Sequence, residues 1–193
     1  MMAGTIEVYD NPSIEHLPDR VKLNRNYDVQ RLKNDVTTIT SSLRQQSYIY
    51  YMPVMLAKDV RDPVNHNWLA EHMLEGCPYL QSILSEFKAP IVSVRLMRLE
   101  PGAELKEHTD PTLDAVHKEV VRLTLPIFSF EEALFLLNGT RVDMQPGELW
   151  YLKLSEKHSV HNNSTVERIN MSIDLEWNSW VEELLISGFD TLT

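Results

Sequence analysis

His108, Thr109 and Asp110 stand together in this chain, and His158 and Arg168 follow well downstream. On an extended segment residues two apart share a face, so His108 and Asp110 point one way while Thr109 points the other. An imidazole and a carboxylate so placed can serve one metal ion, and His158, inside a later predicted strand, stands at the right sort of distance for the third ligand. Two histidines and a carboxylate on one side of a metal leave three adjacent positions open, the arrangement used by non-haem Fe(II) oxygenases. His-x-Asp alone is a common pattern and is more often a surface histidine beside an aspartate. Its context here, after a strand and the Pro101-Gly102 turn and ahead of a second histidine and an arginine, favours a metal site.

Arg168 sits where a strand turn can bring it beside His158, and a guanidinium is a natural bidentate partner for a carboxylate. A 2-oxo acid that chelates a metal through its C1 carboxylate and ketone leaves its distal carboxylate in need of a fixed cation. Arg168 is the choice for that cation, and Ser172, two strand steps on along the same face, is the accompanying hydroxyl donor. The alternative for Arg168 is an exposed strand arginine paired with Glu167 or Asp174. His161 is three residues from His158 along the strand and is expected to face away from it. His117 lies in a polar connection that reads as a loop or a lid. His16, His66 and His72 have no partner pattern, and Trp150 and Tyr151 read as core or pocket wall.

Short β-rich segments must position these residues. After Pro90 the segments IVSVRLMRL, VVRLTLPIF, ALFLLNG, TRVDM, QPGELWYLK, KHSVHNN and RINMSIDLEW, together with the stretch leading into His108, alternate with turn signals at Pro101-Gly102, Asn138-Gly139 and Pro146-Gly147. Eight or so strands of this kind predict a double-stranded β-helix, a cupin-like jelly roll that is mainly β with flanking helices. The first half reads differently. Its first 25 or so residues suggest an irregular arm or edge strand, and Val29, Leu32, Val36, Ile39 and Leu43 mark one helix face within residues 27–43. Residues 47–55 are β-rich, and Pro63 and Pro78 stand where helices could begin, the second followed by an apolar stripe of Tyr79, Ile83, Leu84 and Phe87. Residues 177–189 resemble a closing amphipathic helix. The expectation is one domain over 1–193: a mixed N-terminal part (1–89), a jelly-roll core (90–176) and a C-terminal helix (177–193).

Composition narrows the partners. A chain of 193 residues, 43% apolar and 24% charged, suits one buried core. Its net charge of −10 argues against nucleic acid and anionic membrane surfaces as partners, since both call for a basic face. Cys77 is the only cysteine, which rules out an intrachain disulfide and suits a reducing compartment. With neither a signal-like start nor a spanning apolar run, the expected location is cytoplasmic. The helices of the first half could supply a homodimer face.

The runs RLMRLEPGAELKEHTDP, VVRLTLPI and PGELWYLKLSEKHSVHNNSTVERINMSID resemble the aspartyl/asparaginyl β-hydroxylase family of Fe(II)- and 2-oxoglutarate-dependent dioxygenases, which includes free-proline hydroxylases. The resemblance covers residues 90–176 and rests on an ordered set: Pro101-Gly102, His108, Arg122, Gly147-Glu148, His158 in an H-x-V-x-N context, Arg168 and Asp174. It implies that His108, Asp110 and His158 hold Fe(II), that Arg168 binds 2-oxoglutarate, and that O2 is the other co-substrate. Some members carry glycine where Asp110 stands, so this chain looks like those with a complete triad. Members often place a histidine two residues after the arginine, where this chain has Thr124. Arg122 is then assigned to a substrate carboxylate, with a structural ion pair as the other reading. The implied reaction is hydroxylation of an unactivated C–H bond. A small carboxylate-bearing substrate, such as a free or carrier-tethered amino acid, is expected because the chain shows no helical-repeat platform for a protein client. The alternatives are a peptidyl Asp/Asn β-hydroxylase and a non-oxygenase metal-binding cupin.

Overall fold

The computed structural model describes residues 13–43, 51–56 and 72–190, and ten strands and three α-helices lie within them. In chain order the strands are β1 (Arg20–Asn26), β2 (Tyr51–Leu56), β3 (Ile91–Leu99), β4 (Glu104–His108), β5 (Val120–Phe128), β6 (Ala133–Leu137), β7 (Thr140–Arg141), β8 (Glu148–Leu152), β9 (His158–Asn162) and β10 (Arg168–Glu176). The helices are α1 (Val29–Leu43), α2 (Pro78–Leu84) and α3 (Ser179–Asp190). All strand pairs are antiparallel, and they form a six-stranded sheet in the order β1-β8-β5-β10-β3-β2 and a four-stranded sheet in the order β4-β9-β6-β7. This is the expected jelly roll, a mainly β fold with flanking helices.

The helices pack on the larger sheet because their apolar residues fall on one face. Leu32, Val36 and Ile39 of α1 are buried at helical spacing, and Leu80 and Ile83 of α2 meet them in one core with Val94 and Leu96 of β3 and Ile173 and Leu175 of β10. Pro78 is the first residue of α2, where its missing N–H costs nothing. The buried Asp35 carboxylate of α1 accepts hydrogen bonds from the Tyr79 and Leu80 N–H groups, both at 2.9 Å, so one helix satisfies the exposed donors of the other. Asn178 accepts from Val181 N–H at 3.0 Å and caps α3. The residues around Pro63 lie outside those described.

A second, smaller core draws on both sheets, with Leu99, Phe135, Leu137, Leu152, Leu154 and Val160 at its centre. Lying between these cores, β10 is buried along both faces from Arg168 to Leu175. Its odd-side residues Ile169, Ile173 and Leu175 join the helix-covered core, while Arg168, Asn170, Ser172 and Asp174 alternate onto the other face. Gly147, at the turn before β8, has φ +87°, and a Cβ there would sit 2.5 Å from the Tyr27 carbonyl oxygen, so this crossing of β1 and β8 admits only glycine. The polar segment expected as an arm or edge strand is an edge strand from Arg20 onward, paired with β8. The expected TRVDM strand is shorter, reduced to Thr140–Arg141, because it pairs only across the Asn138-Gly139 turn with β6.

Candidate active site

The antiparallel register of β4 and β9 places His108 opposite His158. Their rings lie 4.2 Å apart between centroids and are tilted by 52°. Asp110 follows just past the end of β4, where its backbone N–H donates to the Leu154 carbonyl at 2.7 Å. One ligand atom from each of His108, Asp110 and His158 lies within 4.8 Å of the others, the only such group of histidine, cysteine or carboxylate residues among the described residues.

Both rings are oriented in the same way. His108 Nδ1 lies 2.8 Å from the Lys106 carbonyl oxygen, and His158 Nδ1 lies 3.0 Å from that of Glu156. A carbonyl only accepts, so Nδ1 carries a proton in each ring, and in the neutral imidazole that leaves Nε2 with the lone pair a metal requires. His158 Nε2 lies 3.9 Å from Asp110 Oδ2. Burial pushes the His158 imidazole below its ordinary pKa, and the nearby His108 and Arg122 act in the same direction against the Glu156 carbonyl and Asp110, which favours the neutral ring. Phe135 stacks on it with an interplanar angle of 8°.

These residues line a cleft of about 100 Å³ that opens to solvent. His108, Asp110, Arg122, His158, Arg168 and Ser172 all border it, so every site residue expected from sequence reaches the same space. Arg168 is buried, at 5% exposure. The alternative partners proposed for it are engaged elsewhere: Glu167 with Arg98, and Asp174 with Arg95 and Arg122. Arg168 and Phe135 also border a second, polar cleft, so they form a side-chain partition between the two. Ser172 Oγ and Asn170 Oδ1 are buried with no hydrogen-bond partner among the described residues. Such groups are costly unless a ligand or water meets them.

Arg122 is held by Asp174, its direct cross-strand partner on β10, with Nε to Oδ1 at 2.7 Å and Nη2 to Oδ2 at 2.9 Å. Asp174 also accepts from Ser93 Oγ and Arg95 Nη1, each at 2.8 Å. Burial works against its charge, but the Arg122 hydrogen bonds and charge, with Ser93 and Arg95, outweigh it and hold the carboxyl below the ordinary carboxylate range. The structural ion pair foreseen as the other reading of Arg122 is thus present. His161 faces away, with Nδ1 3.4 Å from Glu104, and His117 sits exposed in a single 3-10 turn. Tyr151 is core, and Trp150 is half-buried and donates to Glu148. Asn170 went unmarked in the sequence, although its alternation with Arg168 and Ser172 would have found it. Phe135 had no sequence signal, because its stacking on His158 depends on how β6 pairs with β9.

The family model described as aspartyl/asparaginyl β-hydroxylase matches residues 57–177, well over half of the chain. The chain belongs to this family. It is accordingly an enzyme of the hydroxylase class. No curated protein sequence matches it. Among solved structures, the non-haem monooxygenase ThoJ in its nickel complex superposes with TM-score 0.54 at 15% identity, over 82% of this chain and 74% of ThoJ. AviO1 from Streptomyces viridochromogenes Tue57 gives 0.51 at 13% identity, over 85% and 93%. The viral collagen prolyl hydroxylase vCPH from Paramecium bursaria Chlorella virus-1, solved with 2OG, gives 0.50 at 12% identity, over 83% and 97%. At these identities the likeness is one of fold. Among the described residues no helix is long and apolar enough to cross a membrane.

Proposed function

We propose that this family member is an Fe(II)- and 2-oxoglutarate-dependent dioxygenase that hydroxylates an unactivated C–H bond of a small carboxylate-bearing substrate, such as a free or carrier-tethered amino acid. The convergence of His108, Asp110 and His158 carries this reading. Two imidazoles with Nε2 lone pairs and one carboxylate make the donor set of a mononuclear iron site with open positions, so these residues fit the metal. Iron bound there with 2-oxoglutarate would supply the O2-dependent oxidation, which is the cofactor's own chemistry.

The chain's residues bind, orient and shield. Arg168 offers a charged fork from a buried position for the distal carboxylate of 2-oxoglutarate, and Ser172 Oγ, lacking an internal partner, can donate to the same group. The Lys106 and Glu156 carbonyls hold the two imidazoles in the tautomer and orientation that a metal needs. Leu99, Leu105, Phe135, Leu154 and Val160 give the cleft apolar walls.

Anaerobic addition of Fe(II) and then 2-oxoglutarate to the apoprotein tests the reading. The expected result is a weak visible charge-transfer band that neither addition gives alone. Bound iron without the band would instead favour the non-oxygenase cupin. With the class secured, incubation with amino-acid pools and with peptides, read by mass for the gain of one oxygen, decides the substrate. Product on peptides alone would overturn the small-substrate proposal.

A further inference from the structure

We infer that Asp174, acting through Arg122, is a positioning residue for the Asp110 carboxylate, so that a buried charge network on the larger sheet sets how strongly the site holds its metal. This rests on the metal reading of His108, Asp110 and His158. Asp110 is only partly enclosed, with its side chain 35% exposed and its residue just beyond the end of β4, outside the strand pairing. Arg122 Nη1 lies 3.8 Å from Asp110 Oδ2, at ion-pair distance. The same guanidinium is fixed through Nε and Nη2 to Asp174, whose side chain is 6% exposed. A planar fork held at two nitrogens has little freedom left, so its remaining edge meets Asp110 in one orientation.

Asp174 is in turn fixed from both sides of β10. Arg122 is its partner on β5 and Ser93 its partner on β3, while Arg95 Nη1 reaches it from one strand step along. The network thus runs from the middle of the larger sheet to a residue entering from the smaller one. It also balances charge. Asp174 is an anion between two arginines, and removing its charge raises the positive potential on the side of the site where Arg122 lies. Loss of Asp174 therefore weakens metal binding in two ways, by freeing the Arg122 fork and by adding positive potential near the ion.

Mn(II), which takes the same ligand types as Fe(II) and is stable in air, is the probe, and free Mn(II) is read by electron paramagnetic resonance during titration of the apoprotein. Asp174→Asn keeps the size and removes the charge; it is expected to lower Mn(II) affinity by about 10- to 100-fold, the range for outer-shell partners of metal ligands. Arg122→Lys keeps the charge but loses the fork, and is expected to lower it by about 10-fold. Asp174→Glu, which retains the anion, should recover part of the loss. Circular dichroism and a cooperative melt establish that each variant folds; should Asp174→Asn fail to fold, Arg122→Lys alone decides. Affinities within twofold of wild type in the folded variants would overturn the network. Wild-type protein that binds no more Mn(II) than His108→Ala would instead refute the metal reading on which it stands.

Discussion

Replacing Arg168 by glutamine should selectively remove the enzyme's hold on the distal carboxylate of 2-oxoglutarate. Arg168 is 5% exposed and borders the cleft beside a serine with no hydrogen-bond partner among the described residues, so a carboxylate there would be largely desolvated. Truncating one side of a buried, hydrogen-bonded charge pair costs about 2–5 kcal/mol. Ser172 remains as a donor, which places the loss at the lower end, about 2–3 kcal/mol, or roughly 30- to 150-fold in Kd. Arg168→Lys keeps the charge without the fork and should lose about tenfold. The assay is calorimetric titration of Mn(II)-loaded protein with 2-oxoglutarate and, in parallel, with 2-oxobutyrate, which has the chelating end but no distal carboxylate. Arg168→Gln should leave 2-oxobutyrate binding within about twofold of wild type, because the two ligands differ only in the group Arg168 meets. Equal losses for both ligands would mean that Arg168 supports the site's shape rather than the carboxylate. No loss for either would refute the placement of the co-substrate.

Three further outcomes follow from the same geometry. His108→Ala and His158→Ala should each abolish succinate formation from 2-oxoglutarate, measured under O2 with Fe(II) and ascorbate, and undiminished turnover in either would remove that residue from the metal site. Asn162 is fully buried and its amide nitrogen donates to the Leu99, Glu100 and Val166 carbonyls, so Asn162→Ala should cost about 2–4 kcal/mol and lower Tm by many degrees in a calorimetric scan; a change under 1 kcal/mol would contradict the role of this crossing. Burial pushes the Tyr151 phenol up to about 12, despite the Ala115 N–H that donates to its oxygen. A group whose folded value exceeds its unfolded value of about 10 stabilises the fold below that pH and loses this contribution as pH rises between the two values. Tyr151→Phe should therefore be less stable by about 1 kcal/mol at neutral pH yet fall less steeply across that alkaline window in urea denaturation, and an unchanged slope would refute the assignment.

The strands were readable because their signals are local. IVSVRLMRL and VVRLTLPIF coincide with β3 and β5, and RINMSIDLEW with β10 plus one residue, since β-branched runs bounded by turns need no partner to be recognised. The amphipathic spacing of Leu32, Val36 and Ile39 likewise gave α1, and Pro78 gave the start of α2. For the candidate site, residue type and alternation picked out His108 with Asp110 and Arg168 with Ser172, because a strand's period of two puts each pair on one face whatever the strand pairs with. The family resemblance supplied the choice of His158 over His161 on the residues around it.

Tertiary structure decided what lies across from what. That His108 faces His158 depends on the β4–β9 register, and that Arg122 meets Asp174 depends on the β5–β10 register, neither of which is encoded in the spacing along one segment. Sequence left Arg122 between a substrate contact and an ion pair, and only the neighbouring strand supplied the buried carboxylate that holds it. The stacking of Phe135 on His158 and the buried, unpartnered Ser172 and Asn170 belong to the same class of fact. Chain spacing fixes which face a side chain takes within its own strand. Burial, ion pairing and ligand geometry arise between strands distant in sequence, and those exist only once the two sheets have closed on each other.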